Sequence, residues 1–239
     1  MKKIVFLIFA VLIVSSCEDK KKENETVTTK NKDTTTVSIP ESIKKKLNKE
    51  KFKDTLDQVV SLTNETLEEF LHEYGNNNPE RFVTLETSQG NIKLELYTTT
   101  PIHRAHFIYL IKNGYLNTTV FHRVVKDFII QGGNSDRIET SRMRSKMGEY
   151  TLPPEIKYKH NRGALASAKE YRDNPDDRSA PFEFYIVQSA EGAHHLNPNY
   201  TVFGKVISGM AVVDKIANLK TDEGDWPLYN VFINAVIND

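Results

Sequence analysis

Residues 121–133 read Phe121-His122-Arg123-Val124-Val125-Lys126-Asp127-Phe128-Ile129-Ile130-Gln131-Gly132-Gly133. Two short apolar runs flank a polar Lys-Asp pair, which is the pattern of two antiparallel strands joined by a tight turn. An arginine within such a run needs its charge satisfied, because an isolated buried ion is very costly. A turn centred on Asp127 sets Arg123 opposite Gln131 and Val125 opposite Ile129, all on one face. A slip of one residue would send Arg123 and Gln131 to opposite faces. The first register gathers a guanidinium, a carboxamide and aliphatic groups on one surface, which describes a small apolar pocket with a polar rim. Alternation turns His122 away from Arg123, toward hydrogen bonding within the sheet.

Outward from this hairpin the period of two persists. Phe82–Glu86 and Ile92–Leu96 alternate apolar and polar residues around Ser88-Gln89-Gly90-Asn91 and predict a second hairpin. Further strands are expected at 119–125, 128–131, 163–168, 182–187, 201–206 and 231–236. Thr100 and Pro101 supply an N-cap and a first helical residue for a helix reaching Gly114, with Ala105, Ile108, Tyr109 and Ile111 inward. Ser208 opens a second helix carrying Met210, Val213, Ile216 and Ala217 on one stripe. Many short strands, two helices and no βαβ alternation predict a mainly β fold, a closed antiparallel barrel.

The stretch 121–133 resembles the signature of cyclophilin-type peptidyl-prolyl isomerases. Gly163-Ala164-Leu165-Ala166-Ser167-Ala168, Phe184-Tyr185-Ile186-Val187 and Tyr200-Thr201-Val202-Phe203-Gly204-Lys205-Val206 follow in that family's order. The resemblance covers residues 82 to about 237 and implies an eight-stranded barrel capped by two helices, with the site on its outer face. It implies that Arg123 is the catalytic arginine, with Phe128 and Gln131 beside it. Ile129, Tyr185, Leu196 and Phe203 fall on pocket positions, and Ala168 and Lys169 on the strand edge that pairs with substrate backbone. Glu183 stands where the family usually carries Gln, replacing an amide donor by a carboxylate that, when ionised, can only accept. It is expected to pair with Arg123 and orient it. The resemblance implies isomerisation of Xaa-Pro bonds in exported or envelope proteins, without a cofactor. The alternative is a catalytically weak proline-peptide binding or holdase module.

Other chemistries lack support. The chain has 239 residues with 32 basic and 32 acidic side chains; this balance is not that of a nucleic-acid binder, and no nucleic-acid partner is expected. One cysteine excludes an internal disulfide and a cysteine-rich metal centre. His103 and His106 lie three apart on the first helix with no third ligand in view, so no metal is expected. Gly132-Gly133 lacks the Gly-Lys-Ser/Thr ending of a phosphate loop, and no Gly-x-Ser-x-Gly elbow is present.

The amino end reads as an address. Met1-Lys2-Lys3 precedes eleven apolar residues, Ile4–Val14, about 16 Å of helix against a hydrocarbon core of about 30 Å, which suits a signal peptide and not a membrane span. Val14-Ser15-Ser16-Cys17 resembles the bacterial lipobox, implying removal of residues 1–16 and lipid attachment at Cys17. Residues 17–39, rich in Lys, Glu, Thr and Asn, read as a disordered tether. Its r.m.s. span is about 25–30 Å. Spacings of three and four from Ile43 to Tyr74 predict helices within 40–81, ended by Gly75 to Pro79. These helices either pack on the domain of residues 82–239 or serve a partner. The expected whole is a monomer held to a membrane of the cell envelope.

Overall fold

A computed structural model describes residues 59–169 and 174–238. The signal peptide, the tether with Cys17 and residues 40–58 lie outside the described residues. The β1 strand (Phe82–Thr87) pairs antiparallel with β2 (Gly90–Leu96), setting Val83 against Leu94 and Leu85 against Ile92. These four side chains are buried and alternate with polar neighbours, as period two requires. The remaining strands are β3 (Val120–Val125), β4 (Ile129–Asn134), β5 (Ala164–Lys169), β6 (Ser179–Val187), β7 (Val202–Ser208), β8 (Val231–Phe232) and β9 (Asn234–Asn238). They form one antiparallel sheet in the order β8-β3-β4-β6-β5-β7-β2-β1-β9.

Since only Ile233 separates β8 from β9, a single stretch of chain closes the barrel. It pairs first with β3, through Phe232 opposite Val120, and then with β1, through Ala235 opposite Leu85. Where it changes partner, Ile233 N–H donates to the Thr119 carbonyl at 3.1 Å and Ala235 N–H to Asn117 Oδ1 at 2.9 Å. The expected eight strands therefore become nine, the last being split by this change of partner.

Two barrel helices were expected and both are present, α2 (Pro101–Lys112) and α4 (Met210–Ala217). Pro101 takes the first turn of α2, but Thr100 does not cap it. Its hydroxyl turns back to the Tyr97 carbonyl, and Glu155 accepts the Ile102 and His103 N–H groups at 3.3 and 2.9 Å. A carboxylate there satisfies orphan donors and suits the helix dipole. Gly209, at φ 96°, replaces Ser208 as the residue before α4.

A further helix, α3 (Ile138–Met147), was not anticipated, because its burial is confined to Thr140, Met143 and Met147 in an otherwise polar sequence. Another, α1 (Leu67–Asn77), confirms part of the N-terminal helical expectation. Residues 59–62 are not helical: Leu62 N–H donates to the Met147 carbonyl at 2.8 Å, and Thr63 N–H to Thr66 Oγ1 at 3.2 Å. The apolar face of α1 packs on the barrel domain, with Phe70 and Tyr74 each edge-on to Tyr109 at 5.5 Å. Buried Arg104 of α2 donates to the Gly75 and Asn78 carbonyls, at 2.9 and 2.8 Å, covering the carboxyl end of α1.

With α1 on one side and residues 149–160 on another, α2 is buried from Ile102 to Ile111, polar residues included. His106 shares a hydrogen bond with the Tyr150 hydroxyl at 2.9 Å. Burial, reinforced by nearby His103, pushes its pKa down to about 3 from 6.5. The unfolded chain takes up this proton near pH 6.5 and the folded chain only near 3. The stability is therefore complete above pH 6.5 and is lost progressively as pH falls toward 3. Urea titrations should show His106→Gln, which has no proton to gain, losing stability less steeply across this window, by up to about 1.4 kcal/mol per pH unit. Parallel acid limbs for the two proteins would refute it.

Candidate functional site

The β3–β4 turn places Asp127 at φ 59°, a conformation Asp tolerates, and Phe128 N–H closes on the Val125 carbonyl at 3.2 Å. The register is the one expected, with Arg123 opposite Gln131 and Val125 opposite Ile129. Gln131 in turn faces Tyr185 on β6, Tyr185 faces Ala166 on β5, and Ala166 faces Val202 on β7. Opposed residues share a face, so Arg123, Gln131, Tyr185, Ala166 and Val202 form one row across the outside of the barrel. Ile129, Ala164, Ala166, Tyr185, Val187, Ala193 and Val202 make a second apolar cluster there, with Phe128, Leu196 and Tyr200 packed on it.

The cluster floors a groove of about 390 Å³ lined by Arg123, Phe128, Ile129, Gln131, Ala168, Lys169, Ala180, Glu183, Tyr185, Leu196 and Tyr200. Nine of the residues expected at the site converge on it. Phe203 does not. It follows outward-facing Val202, so alternation turns it into the barrel core, 3% exposed and 5.4 Å from the Phe107 ring. Tyr200, which the sequence reading passed over, supplies apolar wall on the groove side.

Glu183 also departs from expectation, for it does not hold Arg123. Gln131 Nε2 donates to Glu183 Oε2 at 2.9 Å, and His122 Nε2 stands 3.5 Å from that same oxygen. The register shifts between Phe121 and Arg123, leaving His122 in a bulge. The bulge breaks the alternation expected to turn His122 away and brings it to the Glu183 carboxylate. The other oxygen accepts from Arg144 of α3 at 3.3 Å. Arg144 is itself fixed by Tyr115 Oη at 2.8 Å and the Gly133 carbonyl at 3.1 Å, and lies over the Phe182 ring. Burial works to raise the Glu183 carboxyl, but His122, Arg144 and Gln131 outweigh it and hold the group below the usual glutamate value.

Arg123 instead meets Asp225, Nε to Oδ2 at 3.3 Å. Lys169 pairs with Asp177 and lies over the Tyr200 ring. Each of the two cations lining the groove thus has an acid beside it. The Tyr185 ring is held by stacking on His160 and by a 2.9 Å hydrogen bond between its hydroxyl and His160 Nε2. Asn197 Oδ1 accepts from the other ring nitrogen at 3.0 Å, which makes Nε2 the acceptor for the tyrosine. Burial outweighs the opposing Asn197 bond and, with His195 and His194 acting the same way, keeps His160 below its ordinary pKa. His195 stacks on Phe128 at 5.4 Å.

Chemically, this is a groove with an apolar floor and one half-exposed guanidinium over its edge. The Arg123 ion pair is made at Nε, and among the described residues no hydrogen bond engages its guanidinium, whose N–H groups remain able to donate to a bound molecule. No group of three or more His, Cys, Asp or Glu among the described residues is placed to hold a metal ion.

Residues 82–238 match the family model for the cyclophilin type peptidyl-prolyl cis-trans isomerases. A peptidyl-prolyl cis-trans isomerase of Acinetobacter baylyi is 39% identical over 143 residues, covering 58% of this chain and 73% of the relative. A peptidyl-prolyl cis-trans isomerase-like 3 protein of Dictyostelium discoideum is 36% identical over 159 residues, covering 64% and 92%. The crystal structure of a cyclophilin type isomerase from Cryptosporidium parvum superposes with a TM-score of 0.57 at 29% identity, over 67% of this chain and 98% of that one. The same protein in the presence of the dipeptide Ala-Pro gives 0.56.

Proposed function

The chain belongs to the cyclophilin-type peptidyl-prolyl cis-trans isomerases, and from that membership we propose that its outer groove turns Xaa-Pro bonds in exported proteins, from a lipid anchor on Cys17. The barrier to rotation is about 18–20 kcal/mol because twisting breaks C–N resonance. As conjugation is lost, the prolyl nitrogen regains a lone pair that accepts a hydrogen bond. A guanidinium held over the groove donates to it only in the twisted state, which stabilises the transition state above either ground state. Phe128, Ile129, Tyr185 and Leu196 grip the ring, Gln131 lies beside Arg123, and the edge at Ala168 and Lys169 meets the peptide backbone. The convergence of Arg123 with this apolar cluster on one face supports the reading above any other observation.

Residues 1–16 would be removed in export, and 17–39 would tether the domain. Each buried methylene of an acyl chain contributes about 0.8 kcal/mol, so several chains on one residue anchor the protein firmly. Expressed from its full sequence in a bacterium, the protein should enter the detergent phase on Triton X-114 partition, and Cys17→Ser should move it to the aqueous phase. An aqueous wild type would overturn the anchor. The groove reading is tested separately by exchange NMR on an Ala-Pro peptide, where unchanged cis–trans exchange on adding the protein would defeat it.

A further inference from the structure

Arg123 carries the proposed chemistry, yet Gln131, its partner in register, gives its amide to Glu183. The restraint on Arg123 comes from the loop after α4. That loop is tied to itself: Asp222 Oδ1 accepts from Gly224 N–H at 2.9 Å and Trp226 N–H at 2.8 Å, and Asp222 N–H donates to the Trp226 carbonyl at 2.9 Å. Thr221 and Pro227 form a bridge that closes its base.

The same loop is docked on β3. β8 covers the outer edge of β3 only at Val120 and Phe121. Beyond them the Asp225 carbonyl accepts Val124 N–H at 2.8 Å, and the Trp226 ring lies 5.7 Å from that of His122. Asp225 sits at φ 64°, so its backbone grips the residue after Arg123 while its side chain reaches Arg123 Nε. An arginine side chain about 40% exposed would otherwise sample many rotamers. The carboxylate stands at the Nε side of the guanidinium as an ion-pair contact, which draws the group toward the loop and leaves its amino groups on the far side able to donate.

We propose that Asp225 is a positioning residue, one that holds Arg123 ready over the groove so that little reorganisation accompanies the reaction. This inference rests on the reading of Arg123 as the catalytic donor. Asp225→Gly and Asp225→Asn both accept a positive φ, but only asparagine keeps an oxygen where the carboxylate faces Nε. Asp225→Gly should lower kcat about tenfold with KM little changed, and Asp225→Asn should restore most of that loss. The Arg123 Nε–H resonance, identified by its absence in Arg123→Ala, should broaden or shift in the glycine variant and largely return in the asparagine one. In an Arg123→Ala background, Asp225→Gly should change nothing further. Wild-type kcat for Asp225→Gly, no rescue by asparagine, or a full additional loss in the double variant would each overturn the proposal. An Arg123→Ala protein as active as wild type would instead defeat the reading on which it rests.

Discussion

Arg123→Ala is expected to lower kcat/KM for Xaa-Pro exchange by about 10²–10³-fold, the scale on which removal of a preorganised donor acts. The substitution should leave the fold almost untouched. Its ion pair with Asp225 is about 40% exposed on both sides, and exposed pairs contribute only about 0–1 kcal/mol. Activity and stability therefore separate cleanly. Arg123→Lys keeps the charge but loses the planar fork and the Nε attachment, and it should recover only part of the rate. Cis–trans exchange measured by NMR, alongside urea denaturation, gives both quantities. A variant exchanging as fast as wild type would remove the chemistry assigned to the groove.

Gly133→Ala is expected to destabilise the protein by more than about 3 kcal/mol, in the range reserved for substitutions that force backbone apart. Gly133 lies at φ 97°, and a Cβ there would overlap the Phe182 carbonyl oxygen and stand 3.0 Å from Glu183 Cα. Relief would require β4 and β6 to separate at the point where Gln131, Glu183 and Arg144 meet. The Gly133 carbonyl also accepts from Tyr115 and Arg144. At neighbouring Gly132 a Cβ would meet only side-chain atoms, the closest being Ile233 Cδ1 at 2.9 Å and Phe184 Cζ at 3.0 Å. These can shift, so Gly132→Ala should cost less, about 1–3 kcal/mol. Urea midpoints for the two variants check the ordering, and equal losses would show that side-chain crowding alone accounts for both.

These contrasts also mark how far the sequence could be read. The Arg123–Gln131 register was legible because two apolar runs around one turn admit only one pairing that keeps both residues on a face. The bulge at His122 was not, since an inserted residue leaves no trace in an apolar run yet redirects the side chain. Glu183 lines the groove, but its partner Arg144 comes from α3, a helix with a single thin buried stripe. Phe203 could have been placed correctly by alternation alone, because Val202 faces Ala166 on the outer row. The resemblance gave pocket positions without saying which of two neighbours points outward. Val59 and Val60 read as helical apolar positions; Val59 is buried and Val60 exposed, and the backbone there is not helical. The local conformation here follows from the Leu62 bond to Met147 of α3, a residue far along the chain, and from the Thr63 bond to the Thr66 hydroxyl.

The closing stretch at 231–238 bears on how the molecule is made. Its two halves supply the partner for β3 and for β1, and Phe82 pairs with Asn238 across almost the whole length of the domain. Pairings of such sequence separation are slow to form, and until they do both flanking strands present open edges. Synthesis delivers β1 first and this stretch after every other strand. The ring cannot shut while residues 231–238 are still inside the ribosome, so the barrel is completed only after almost all of it has emerged.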